Sequence, residues 1–127
     1  MGHRQPFRGV SALVIEDESG VRDFIAGLLR IEGATVVTAS TAREAVDYLR
    51  NAGPFRLVTL DLGLSDSAGW DLLEGTSPVL SSNATCAVAV VTARIDQATR
   101  RRAKRLGVHL IAKPIGAREL ASALRSL

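Results

Sequence analysis

The stretch "VSALVIEDE", Val10 to Glu18, runs through apolar residues as if inside a core and then stops on three carboxylates in a row. Its apolar part lacks strict polar alternation, which is how a strand buried on both faces of a parallel sheet reads. The acids raise a separate question. Like charges at one strand end repel, and in a partly buried crevice they raise carboxylate pKa values unless something positive sits there. Either the side chains fan into water, or they hold a cation.

Four more runs of the same kind recur along the chain: "ATVVTA" at 34–39, "FRLVTL" at 55–60, "CAVAVV" at 86–91 and "VHLIA" at 108–112. Helix-like segments lie between them. Val21, Phe24, Ile25, Leu28 and Leu29 repeat at helical spacing after the first run, with Gly33 as a stop. After the second, Thr41 and Glu44 form a capping box ahead of Ala42, Ala45, Val46 and Leu49, and "NAGP" closes the helix. A weaker segment, "GWDLLE" at 69–74, follows the third run, "DQATRRRAKRLG" the fourth and "GARELASALRSL" the fifth. Strand and helix thus alternate five times, which implies parallel strands joined by right-handed crossovers with helices on both faces of an α/β sheet.

Composition limits the alternatives. The 127 residues suffice for one domain, and 46% hydrophobic with 23% charged residues favours a folded core over disorder. No apolar run approaches the roughly 20 residues that span a bilayer. "MGHRQPFRG" carries charge without the apolar segment of a signal peptide, so a cytoplasmic location is the default expectation. The lone Cys86 has no partner for a disulfide and reads as a small core residue. His3 and His109 lack ligand-spaced companions for zinc.

In open sheets of this kind ligands sit beyond the carboxyl ends of the strands. Those ends carry Glu16 and Asp17, then Asp61, Thr92 and Lys113, all polar. If Asp17 and Asp61 converge with Glu16 beside them, they make an oxygen site for a hard divalent cation; Mg2+ fits best, since it takes six oxygens at about 2.1 Å and keeps waters alongside one or two carboxylates. A lysine ammonium and a threonine hydroxyl are what a transferring phosphoryl group needs on its oxygens. Asp61 is then the nucleophile, giving an acyl phosphate, with Gly63 and Ala93 leaving space for the group.

"VIEDE", "LDLGL" followed by Gly69, "VVTA" and "LIAKP", in this order and at these separations, resemble the receiver domains of two-component response regulators, from about Val10 to Leu127. The resemblance implies a single doubly wound (βα)5 domain of flavodoxin-like form, strand order 2-1-3-4-5, with residues 1–9 as an N-terminal extension and 10–127 as the receiver domain. By the same resemblance Asp61 accepts phosphate from the phosphohistidine of a sensor histidine kinase or histidine phosphotransfer protein. Asp17 binds Mg2+ directly, Glu16 acts mainly through water, and the Gly63 carbonyl is a further ligand. Thr92 bonds a phosphoryl oxygen and shifts toward it, Lys113 pairs with the aspartyl phosphate, and the Lys113–Pro114 bond is cis.

The chain departs from the family pattern in places. Ser65 stands where proline is usual, and the loop from Gly107 is one residue short. Leu110 replaces the usual Tyr or Phe, which leaves transmission through a rotating aromatic open to question. "VLSSNAT" at 79–85 reads as a loop without an assigned role.

Rival functions are a phosphatase with an aspartyl nucleophile and a receiver-like interaction module that signals without phosphorylation. The first lacks its signature, because Gly63 stands where a second Asp is expected. The expectation is therefore a phosphoacceptor switch and not an enzyme. Nucleotide binding lacks a glycine-rich loop. The basic cluster "RRRAKR", Arg100 to Arg105, has no interleaved aromatic for base stacking, so it is read as contacting a downstream protein partner, together with the following strand, and not nucleic acid.

Overall fold

The computed structural model describes residues 5–64, 69–75, 86–93, 95–113 and 116–125. Five strands, β1 (Ser11–Ile15), β2 (Thr35–Ala39), β3 (Leu57–Leu60), β4 (Ala87–Thr92) and β5 (His109–Ala112), form one parallel sheet in the order β2-β1-β3-β4-β5. The helices are α1 (Ser19–Ile31), α2 (Ala42–Asn51), α3 (Gly69–Gly75), α4 (Gln97–Leu106) and α5 (Ala117–Arg125). Among the described residues no helix is long and apolar enough to cross a membrane.

The inner strands explain the missing polar alternation. All of β3 and all but the first residue of β1 are buried. Successive side chains of a strand face opposite sides, so Ala12 and Val14 join a core with Ile25, Leu29 and Leu120, while Leu13 and Ile15 join another with Ala45, Phe55 and Leu72. Phe7, ahead of β1, packs into the first of these cores and donates its backbone N–H to the Glu32 carbonyl at 2.8 Å.

Local signals set the helix ends. Thr41 Oγ1 accepts from the Glu44 N–H at 3.1 Å, as the capping box requires, but the Glu44 carboxylate reaches past Thr41 and accepts from Ser40 N–H at 2.7 Å. Asp96 caps α4 by accepting from Thr99 N–H at 2.8 Å. Gly33 ends α1 with φ +102, and a Cβ there would lie 2.9 Å from the Arg8 backbone nitrogen, so only glycine fits.

The helical spacing of Val21, Phe24, Ile25, Leu28 and Leu29 implies one apolar face, but Phe24 is 41% exposed. The buried stripe is Ile25, Ala26 and Leu29, and at 100° per residue Phe24 lies well round the helix from its centre. Cys86 is half-buried against the second core, where burial pushes its thiol up to about 11.

Thr59 on central β3 is 1% exposed, and its hydroxyl has no partner among the described residues. Thr59→Val keeps the shape and removes the stranded polar atom. It should raise stability by about 1 kcal/mol in urea unfolding.

Candidate functional site

β1, β2 and β3 end level with one another, β4 and β5 run two residues further, and the polar residues that follow gather at this edge. Ile15 pairs with both Ala39 and Leu60, Leu60 with Val90, and Thr92 with Ala112. The ladder continues one step past these ends through Glu16 N–H to Ala39 O at 3.0 Å, Asp61 N–H to Ile15 O at 3.0 Å and Lys113 N–H to Thr92 O at 2.9 Å. Sheet hydrogen bonds therefore fix the backbone of three site residues.

Their side chains converge. Lys113 Nζ donates to Glu16 Oε1 at 2.8 Å and lies 3.6 Å from Asp61 Oδ2. Glu16 Oε2 accepts from the Glu18 N–H at 3.3 Å, and Asp61 Oδ1 from the Gly63 N–H at 3.2 Å. Carboxylate oxygens of Glu16, Asp17 and Asp61 all lie within 4.8 Å of one another. Asp17 is exposed, whereas the Glu16 side chain is 1% exposed, Asp61 13% and Lys113 19%. Thr92 is buried at the end of β4, between the β3 and β5 ends, and with Gly63 lines a cavity of about 390 Å3 that extends to Trp70 and Arg102.

Among the described residues the site is crowded with carboxylates, and the Arg22 guanidinium reaches only the Glu16 backbone carbonyl, at 3.1 Å. Burial pushes the Glu16 carboxyl up to about 7, helped by the neighbouring Asp61 carboxylate and opposed by Lys113 and the Glu18 N–H. Burial also works against the Lys113 ammonium, but the Glu16 hydrogen bond and the Asp61 charge outweigh it and hold its pKa above the usual lysine range. Among the described residues three carboxylates face the Lys113 ammonium. An oxygen-only donor set with one buried, hard-to-ionise member suits a hard divalent cation, whose charge would relieve the crowding.

Gly69 is placed by the same loop. Its N–H donates to Leu62 O at 2.8 Å, and a Cβ there would lie 2.6 Å from Asp61 O and 2.7 Å from Leu62 Cα. Gly69→Ala must push back the backbone that carries Asp61. A loss of about 2 kcal/mol in urea unfolding is expected.

A neighbouring clasp was not legible in the sequence. Arg102 on α4 holds Glu74 on α3 through Nη2–Oε2 at 2.7 Å and Nε–Oε1 at 3.1 Å, and its guanidinium lies 4.8 Å from the centre of the Trp70 ring. Ser65, the Lys113–Pro114 bond and the stretch 79–85 lie outside the described residues; among the described residues Gly53–Pro54 is cis. Leu110 is partly buried against the second core.

Residues 12–125 match the family model of the response regulator receiver domain. The chain belongs to this family. As a receiver domain it is 37% identical over 115 residues to the transcriptional regulatory protein KdpE of Mycobacterium tuberculosis, covering 90% of this chain and 49% of that one. It is 32% identical over 124 residues to SphR of Synechococcus elongatus, an alkaline phosphatase synthesis transcriptional regulatory protein, covering 91% and 47%. The receiver domain thus spans about half the length of these curated relatives. Its fold is similar to a CheY-like receiver domain protein from Methanospirillum hungatei, with a TM-score of 0.81 at 24% identity over 92% of this chain and 91% of that one. Receiver domain, response regulator and two-component signal transduction therefore describe what this chain is part of.

Proposed function

We propose that this receiver domain is a phosphoacceptor switch in which Asp61 takes a phosphoryl group from the phosphohistidine of a sensor histidine kinase or histidine phosphotransfer protein. The observation that carries the reading is the meeting of Asp61 with Lys113 at 3.6 Å and with Glu16 and Asp17 within 4.8 Å, at strand ends of a matched receiver fold. In the transfer an Asp61 carboxylate oxygen forms a bond to phosphorus as the phosphorus–nitrogen bond breaks, and the imidazole leaves with a proton. Lys113 neutralises charge on the arriving group, and the Thr92 hydroxyl bonds one of its oxygens. Asp17, Asp61 and the Gly63 carbonyl would hold Mg2+, with Glu16 contributing mainly through water, and the ion would supply further charge neutralisation.

The phosphorylated aspartate carries about −2 where the free one carried −1, which draws Thr92 and Lys113 inward and shifts a two-state equilibrium. The change is a switch and not turnover of an outside substrate. Leu110 offers no aromatic ring at the usual position, so the signal passes through α4 and β5 to a downstream protein partner, with the Arg100 to Arg105 segment as its contact. KdpE and SphR are named as transcriptional regulators, and the reading gives this chain only the portion of them that it matches. The intact Asp61, Lys113 and Thr92 set favours this over an interaction module that signals without phosphorylation.

Incubation with a small phosphodonor and Mg2+ should add one phosphoryl group per chain. Removing the metal with a chelator should slow the addition by about 100-fold or more; equal rates with and without metal would contradict the reading. Metal binding should also depend on pH. Because Glu16 titrates near 7 without metal and the cation favours its ionised form, Mg2+ affinity should weaken about tenfold from about pH 8 to about pH 6. Titration calorimetry in buffers of different ionisation enthalpy would also detect the proton released on binding.

A further inference from the structure

Arg22 stands where helix chemistry disfavours it. It is the fourth residue of α1, a helix with no acidic side chain in its first turn and no side-chain cap at its N-terminus. A cation near that end is set against the positive pole of the helix. Helix side chains lean toward the N-terminus, and Arg22 uses that lean. Its half-buried guanidinium donates through Nη1 to the Glu16 backbone carbonyl at 3.1 Å.

The contact fills a place that the sheet leaves open. Thr35 N–H donates to Val10 O at 2.9 Å, and in a parallel ladder such rungs recur every second residue. Continued upward, the donors are Val37, Ala39 and Thr41, the last due at Glu16 O. But β2 ends at Ala39, and Thr41 turns aside to cap α2. Arg22 supplies the missing donor. Glu16 is then held at every polar group: its N–H by Ala39 O, its carbonyl by Arg22, and its carboxylate by Lys113 Nζ and the Glu18 N–H. Asp17, the next residue, is exposed, and among the described residues no hydrogen bond or ion pair holds its carboxylate. Its direction depends on the planar peptide that joins it to Glu16, and the oxygen of that peptide is the atom Arg22 grips.

We propose that Arg22 is a positioning residue for the divalent cation: by fixing the Glu16–Asp17 peptide it keeps the Asp17 carboxylate among those of Glu16 and Asp61, within 4.8 Å of both. The role rests on the proposed Mg2+ site and adds to it a residue outside the ligand set. Two effects of Arg22 on the cation run in opposite directions. As a charge it repels a divalent ion, so its removal alone would tighten binding. As a donor behind a ligand it orients that ligand, and losing such a partner costs about 10- to 100-fold in metal affinity. The charge is screened by solvent, whereas the hydrogen bond acts directly on the backbone of Asp17, so orientation outweighs repulsion. Lys113 cannot stand in for it, because its ammonium is engaged by the Glu16 and Asp61 carboxylates.

The test titrates the full chain with Mg2+ by calorimetry at fixed pH, and follows phosphorylation by a small phosphodonor over a range of Mg2+ concentrations. Arg22→Met, which keeps the length of the side chain and removes its donors, should bind Mg2+ about tenfold more weakly. The Mg2+ concentration for half-maximal phosphorylation should rise by about the same factor, while the rate at saturating Mg2+ stays within about twofold of wild type. Arg22→Lys, which keeps a donor and the charge, should recover most of the affinity. Arg30→Met, the same change at the other end of α1, should leave affinity within about twofold. Equal or tighter Mg2+ binding by Arg22→Met would overturn the proposal, since loss of a repelling charge alone produces that result. Equal weakening by Arg22→Met and Arg30→Met would overturn it too. A wild type that binds no Mg2+ would remove the metal site and this role together, so the two failures are told apart.

Discussion

Asp61→Asn should take up no phosphoryl group, a fall of at least about 1000-fold in the rate with a small phosphodonor and saturating Mg2+. The substitution suits the test because asparagine keeps the volume and the oxygen that accepts from the Gly63 N–H at 3.2 Å. What it removes is the nucleophile, since an amide is a poor attacking group, together with one of the three charges crowded in the site. Loss of that charge also weakens metal binding, so the comparison has to be made with the metal in excess. Mass spectrometry of the intact protein reads the result. Phosphorylation of the variant at the wild-type rate would mean that another residue is the acceptor.

Lys113→Ala should slow the same reaction by about 100- to 1000-fold, the usual effect of deleting one charge-stabilising donor from a preorganised site. Its effect on stability is more instructive. Deleting one partner of a buried ion pair generally costs about 3–5 kcal/mol because a charge is left stranded. Here the stranded group, Glu16, already titrates near 7 with Lys113 present, so without the lysine it takes a proton. We therefore expect a loss of about 1 kcal/mol at neutral pH.

The sign with pH follows from the direction of the shift. A carboxyl whose folded pKa lies above its unfolded value penalises the folded state increasingly as pH rises from the unfolded to the folded pKa. In the wild type that window closes near 7; in the variant the folded pKa moves higher and the window extends upward. The destabilisation by Lys113→Ala should thus grow above pH 7, and Glu16→Gln in the same chain should abolish that growth. Urea unfolding over a range of pH measures it.

The sequence exposed those parts of the molecule that depend on local patterning. Strands covered on both faces are largely apolar, so β1 after Ser11 and β3 but for Thr59 stood out as apolar runs, and the charged residue after each run marked the rim. Parallel strands of one sheet present their carboxyl ends at one edge, which is why Glu16, Asp61 and Lys113 read as neighbours from sequence, although β4 and β5 run two residues past the end of β3. Capping chemistry at Thr41 was visible for the same reason.

Relations between distant segments were not legible. Lys113 and Glu16 are 97 residues apart, and nothing local marks Glu16 as the deeply buried partner of the lysine. Arg102 and Glu74 are separated by 28 residues, and in sequence the arginine is one of five similar cations. Only the turn of α4 distinguishes it from its exposed neighbours. The exposure of Phe24 was not legible because helical spacing alone does not say which side of an apolar stripe lies against the sheet, where Ile25, Ala26 and Leu29 are buried. Gly69 was recognised as part of a motif, but its reason is steric: the backbone of Asp61 and Leu62 fills the space of a side chain.

The most direct test of the central claim is to phosphorylate the protein with a small phosphodonor and Mg2+, reduce the acyl phosphate with borohydride, and map the modified peptide by tandem mass spectrometry. The account predicts one modified residue, Asp61, and loss of the phosphoryl group in mild alkali if reduction is omitted. A phosphate that survives alkali on a serine or threonine, or an unmodified Asp61 peptide beside a modified one elsewhere, would contradict it.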